Sequence, residues 1–163
     1  MFYLAFTNMN TRTVLGLVGW LALCFAVAAL GGIATDTGTW YQELTRPAWN
    51  PPGWVFGPVW TLLYTLMGIA AWGVWKEVGF DAGAVPLALF GVQLALNGLW
   101  SWLFFAWQAP GWAFAEILVL WVAIAATLLA FYRVKAWTGY LLVPYLLWVS
   151  YAAALNGWIW WMN

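Results

Sequence analysis

"TRPAWNPPGWVFGPVW", residues 45–60, holds four prolines and three tryptophans in sixteen positions. Proline fixes φ and removes a backbone donor, and tryptophan seeks partial burial, so this passage reads as stiff and packed rather than floppy. A long apolar run precedes it, and another continues from it without a break through "TLLYTLMGIAAWGVW". The pattern is that of a membrane protein interrupted once, by a structured loop.

Composition supports that class. Of 163 residues, 66% are hydrophobic and only 6% are charged, where a soluble domain carries about 25% charged residues. The formal net charge is zero, so there is no electrostatic footprint for nucleic acid. Histidine is absent, which removes the commonest metal ligand and the usual general base. Cys24 is the single cysteine, so no disulfide framework forms within the chain. The 17 tryptophans exceed what interfacial belts require. Some are therefore expected to line an interior.

A helix needs about 20 apolar residues to cross a bilayer. Five stretches satisfy this, at 14–33, 54–75, 86–107, 112–132 and 137–160. Together they predict one all-α transmembrane domain over residues 1–163. Only the connection at 34–53 is long, and such loops are usually functional or disordered. The first span is expected to be retained rather than cleaved. Only Arg12 precedes it, and its apolar run exceeds the roughly 7–15 residues of a signal peptide.

Orientation is read from Lys and Arg in short loops. With five spans, Arg12, Lys76, Arg133 and Lys135 share a side, and Arg46 stands on the other. A cytoplasmic N-terminus is expected, with the long loop and the C-terminus facing outward from a bacterial cell membrane.

In the third span, "VPLALFGVQLALNGLWSWLFF", a turn of about 100° per residue puts Gln93, Asn97, Trp100 and Phe104 on one face. Ala84, Ala88, Gly91, Ala95 and Gly98 fall on the opposite face. The amides must find partners away from lipid, so their face is expected to look into the bundle. They serve as inter-helix glue, as groups that orient a ligand, or as both. The small face suits close approach of another helix, within the fold or across a homodimer through Ala88, Gly91 and Ala95. In the second span Pro58 falls in the first turns, and Trp60 and Tyr64 stack at i and i+4. In the fifth, Trp148, Ala152, Leu155 and Asn156 share a face, and Pro144 is expected to kink the helix and widen the bundle.

Glu116 is the one carboxylate plainly inside a span, about a turn from its outer end. An intramembrane ionisable group is by default a functional candidate, against the simpler reading that it reaches water or pairs with Arg46. No carboxylate pair, thiolate–base pair or metal cluster can be assembled, so side-chain catalysis is unsupported and no metal or obligatory cofactor is expected.

The segments "WYQELTRPAWNPPGWVFGPVWTLLYTLMGIAAW", "QLALNGLWSWLFF" and "PYLLWVSYAAALN" resemble the TspO/MBR family of tryptophan-rich sensory proteins and mitochondrial translocator, or peripheral benzodiazepine receptor, proteins. The resemblance covers nearly the whole chain. It implies five helices around a pocket, with the first loop folded over the mouth as a lid whose prolines, Pro47, Pro51 and Pro52 among them, lower the entropy cost of ordering. It implies that Trp40, Trp49 and Trp54 tuck against the bundle. Trp60 and Trp148 match tryptophans placed inside the family's cavity, and Tyr64, Asn97, Trp100, Trp112, Ala115, Ala152 and Leu155 match positions near it. The implied ligands are porphyrins and other tetrapyrroles, cholesterol in animals, and drugs of the benzodiazepine-receptor class.

One departure concerns sterol. The animal proteins follow "LN" in the last span with a tyrosine and then a basic residue, where this chain has "LNGWIWWMN". Such motifs are weak even when present, and the absence argues against sterol binding here. The lack of histidine excludes a histidine-ligated haem. A tetrapyrrole would be held by stacking and apolar contact, which suits a metal-free porphyrin such as protoporphyrin IX. The leading expectation is a membrane-embedded tetrapyrrole-binding sensory or regulatory protein. The alternative is a transporter of porphyrins or other small hydrophobic molecules, against which stand the odd number of spans and the lack of an inverted repeat or broken helix pair. The family has been linked to light-dependent porphyrin breakdown, which leaves an enzymatic role open, with Trp60 and Trp148 as the groups available to photochemistry.

Overall fold

The computed structural model describes residues 10–163, and the first nine residues of the expected domain lie outside them. Among the described residues the chain is helical, with no strand. The helices are α1 (Thr11–Ala34), α2 (Thr39–Glu43), α3 (Gly53–Val78), α4 (Ala84–Ser101), α5 (Pro110–Val134), α6 (Ala136–Tyr140) and α7 (Val143–Met162), with a π-helical turn at Trp102–Ala106. Five spans are long and apolar enough to cross a bilayer: α1, α3, α4 with its π-turn, α5, and α6 with α7. Each expected stretch falls inside one of them, to within a residue at one end of the third.

Local chemistry sets the ends. Asn10 caps α1, its Oδ1 accepting from Thr13 N at 2.9 Å and Thr13 Oγ1 at 2.9 Å. Gly79 closes α3 at φ 68°, a conformation that favours glycine, with its N–H on Trp75 O at 2.8 Å. Pro58 lies deeper than its expected place among the free first-turn donors. The helix starts at Gly53, so Pro58 removes the donor that would close on Trp54 O. The third span ends by widening, with Trp107 N bonding Trp102 O at 2.8 Å.

The fifth span departs from expectation. Pro144 does not kink a continuous helix. The chain breaks at Leu141–Leu142, between α6 and α7, and Pro144 sits in the first turn of α7, where its missing N–H costs nothing.

The spans pack through small residues. A Cβ on Gly68 of α3 would lie 3.2 Å from Leu21 Cα of α1, so glycine permits that approach. Gly73 lies under Trp137 and Thr138 of α6. Thus α3 packs against α6, but it scarcely touches α7. The second and fifth spans meet at one end and separate toward the other. At the closed end Lys135 pairs with Glu77 at 2.6 Å, Arg12 lies 5.7 Å from the Trp75 ring and Lys76 lies 5.0 Å from that of Trp72.

Candidate functional site

Where α3 and α7 diverge, the structure encloses a cavity of about 1080 Å³. This is at the top of the roughly 300–1,000 Å³ usual for ligand pockets. Its walls come from α1, α3, α4 with the π-turn, and α7, and the loop after α1 lines the rest.

The loop is held at several points. Tyr41 is buried against Phe104 and Phe105, with centroids at 6.4 and 5.5 Å, and Trp40 meets Phe104 at 5.9 Å. Trp49 packs edge-on to Tyr151 at 5.7 Å, and its carbonyl accepts the Tyr151 hydroxyl at 2.7 Å. Thr45 bonds to Asn163 at the end of α7. Trp54 does not tuck in as expected. It is 76% exposed, because α3 begins at Gly53 and turns that side chain outward.

Trp60, Tyr64, Asn97, Trp100, Trp148 and Ala152 all line the cavity, with Pro47, Pro51 and Pro52 from the loop. Trp60 stacks obliquely on Tyr64 at 5.6 Å, as their i, i+4 spacing implies. Rings bridge the gap between α3 and α7, Phe56 to Trp148 at 5.9 Å and Trp60 to Tyr145 at 6.2 Å.

Three expected neighbours stand elsewhere. Trp112 is 75% exposed and Ala115 also faces outward, because α5 packs behind α4 and α7 and supplies no lining residue. Leu155 is buried beside the cavity, in a cluster with Tyr41, Phe104, Ala113 and Ile159. Residues not expected from sequence to line the site complete the wall, notably Gly31 and Gly32 of α1, Phe56, Phe105, and the loop's Arg46 and Asn50. The glycine pair at the C-terminal end of the first span was the available signal for empty space.

The polar groups divide. Asn156, 1% exposed, accepts from Trp100 Nε1 at 3.0 Å and donates to Pro110 O at 2.8 Å, tying the third, fourth and fifth spans together. It is glue, and it fixes the plane of a cavity tryptophan. Asn97, 5% exposed, lines the cavity, and its Nδ2 has no acceptor among the described residues. Gln93 is buried away from the cavity, with Nε2 directed at Met67 Sδ at 3.8 Å. Glu116 is buried, and neither of its oxygens has a partner among the described residues, Arg46 included. Arg46 instead contacts Gln42 Oε1 at 3.2 Å and the face of Tyr41 at 4.9 Å. No group of His, Cys, Asp and Glu able to hold a metal occurs among the described residues.

Five apolar spans around a tryptophan-walled cavity, lined on one side by a proline-rich loop, mark an integral membrane protein. The TspO/MBR family model matches residues 20–162, and the chain belongs to that family. It is similar to the human Translocator protein, with 44% identity over 123 residues, covering 74% of this chain and 73% of the relative. It is also similar to Tryptophan-rich protein TspO of Chlorobaculum tepidum, at 44% over 146 residues, 83% and 90% of the two chains. The Tryptophan-rich sensory protein of Cereibacter sphaeroides is 41% identical over 136 residues, 83% and 84% of the two chains.

Proposed function

We propose that this chain binds a porphyrin of the protoporphyrin IX kind in the cavity and acts as a membrane sensory or regulatory protein, with the loop at 34–53 as its lid. One observation carries the reading: Trp60 and Trp148, from different spans, wall the same cavity. Indoles on two walls suit a flat aromatic occupant, since offset stacking adds about 0.5–1.5 kcal/mol per pair beyond area burial. The family's printed names, "sensory" and "translocator", agree with a ligand-responsive membrane protein without giving the ligand. The protein sits in a bacterial cell membrane with its N-terminus cytoplasmic, following the Lys and Arg bias. The outward Ala88, Gly91 and Ala95 form a homodimer face.

The test is a titration of purified protein with protoporphyrin IX, in darkness and under illumination, reading bound and product absorption spectra. Saturable binding at one site is expected, and an occupant-dependent spectral loss only in light would add photo-oxidation at Trp60 and Trp148. Absence of saturable binding overturns the reading.

A further inference from the structure

We infer that Arg46 forms a carboxylate subsite at the cavity mouth, so that the protein selects tetrapyrroles bearing a free acid at their rim. The inference rests on the porphyrin reading and specifies which edge of the ligand faces the loop.

Among the described residues that line the cavity, Arg46 is the only one with a charged side chain, and no Asp or Glu accompanies it. Arg46 as a whole is half-buried, its guanidinium's hydrogen bond to Gln42 is exposed, and it makes no ion pair with a carboxylate among the described residues. Its Nη2 donates to Gln42 Oε1 at 3.2 Å, and its plane lies over Tyr41 at 4.9 Å. Those two contacts hold the group while using only part of a five-donor fork whose geometry matches a carboxylate.

The backbone that presents it is fixed on both sides. Thr45 N donates to Asn163 Oδ1 at 2.9 Å, and Asn163 Nδ2 returns to Thr45 O at 3.0 Å. Pro47 follows, buried, with a locked φ. A charge held in place before its ligand arrives gains more from pairing than one that must first be ordered. The surrounding wall is otherwise aromatic, aliphatic or neutral, so a second polar end of the ligand finds no comparable partner at the mouth. The ligand's apolar ring system then lies inward, against Trp60 and Trp148, with its acid edge under the loop.

The experiment compares protoporphyrin IX with its dimethyl ester on wild type and on Arg46→Gln. Esterification removes the charge and keeps the ring. Wild type is expected to bind the acid about tenfold or more tightly than the ester, the scale of one charge-assisted hydrogen bond. In Arg46→Gln the two affinities should converge on that of the wild-type ester, whose binding also reports an intact cavity. Arg46→Lys should restore part of the preference, because it keeps the charge and loses the fork. If wild type binds both forms equally, the subsite is overturned while the cavity reading stands. If Arg46→Gln weakens both forms alike, the arginine serves loop shape or a lipid phosphate, and the subsite is again overturned. If wild type binds neither form, the porphyrin reading itself fails.

Discussion

Thr45 and Asn163 exchange two hydrogen bonds across 118 residues of sequence, at 2.9 and 3.0 Å. The asparagine side chain mimics a strand neighbour, satisfying both backbone groups of one loop residue. The same amide also donates to Ile159 O at 2.8 Å, so the loop is moored to the last turn of α7.

Asn163→Ala should therefore loosen the loop without unfolding the bundle. Each lost bond is worth about 1 kcal/mol. Amide exchange at residues 39–50 should speed up several-fold, and the dissociation rate of a bound porphyrin should rise. Unchanged exchange in that segment would show that the mooring is incidental.

The tryptophans allow a sharper comparison. Trp60→Phe and Trp148→Phe should each weaken porphyrin binding by a few-fold and reduce any light-driven conversion more strongly, since both line the cavity. Trp112→Phe, at an outward position on α5, should change neither, and Trp75→Phe at the closed end serves as a second control. Binding constants and product yields for the four variants decide the matter. Equal effects at Trp112 and Trp60 would mean that the cavity is not the binding site.

Asn156→Leu should be the costliest of these changes for stability. It strips Trp100 Nε1 of its acceptor and removes the side-chain donor to Pro110 O in a part-buried setting. A loss of about 1–3 kcal/mol is expected for groups left unpaired there. Thermal unfolding in mild detergent should show a clearly lower midpoint, and a midpoint equal to wild type would contradict the tie between spans.

Gly91→Leu and Ala95→Leu test the outward stripe. Nothing lies within 4 Å of a Cβ placed on Gly91, so added bulk meets no neighbour inside the protein. Both variants should keep porphyrin affinity and lose homodimer, read by chemical cross-linking in lipid. Wild type that is monomeric in lipid removes the stripe from consideration.

The spans were legible because length and apolarity suffice to mark them. The inward amides were legible too, since Gln93, Asn97 and Asn156 contrast with everything around them. The facing of α5 was not. Lipid and protein interior are equally apolar, so Trp112 carries no mark to say which it meets, and span order decides. Pro144 was ambiguous for a related reason: a proline signals a break, and only the neighbouring turn at Leu141–Leu142 shows that a helix starts there. Arg46 was visible as the lone cation on its side, but its place in the cavity wall depends on how the loop folds back.

The divergence of the second and fifth spans gives the bundle the mechanics of a clothes-peg. At the pivot, the absence of a side chain on Gly73 lets the side chains of Trp137 and Thr138 sit directly against α3. At the jaws, Phe56 meets Trp148 and Trp60 meets Tyr145 edge-on, contacts worth about 0.5–1.5 kcal/mol each that yield by side-chain rotation. Compliance is thus concentrated at the wide end. Occupants of different thickness can be gripped at similar cost, while one that reaches further toward the pivot meets a stop. The protein should gauge the length of what it holds more strictly than its girth.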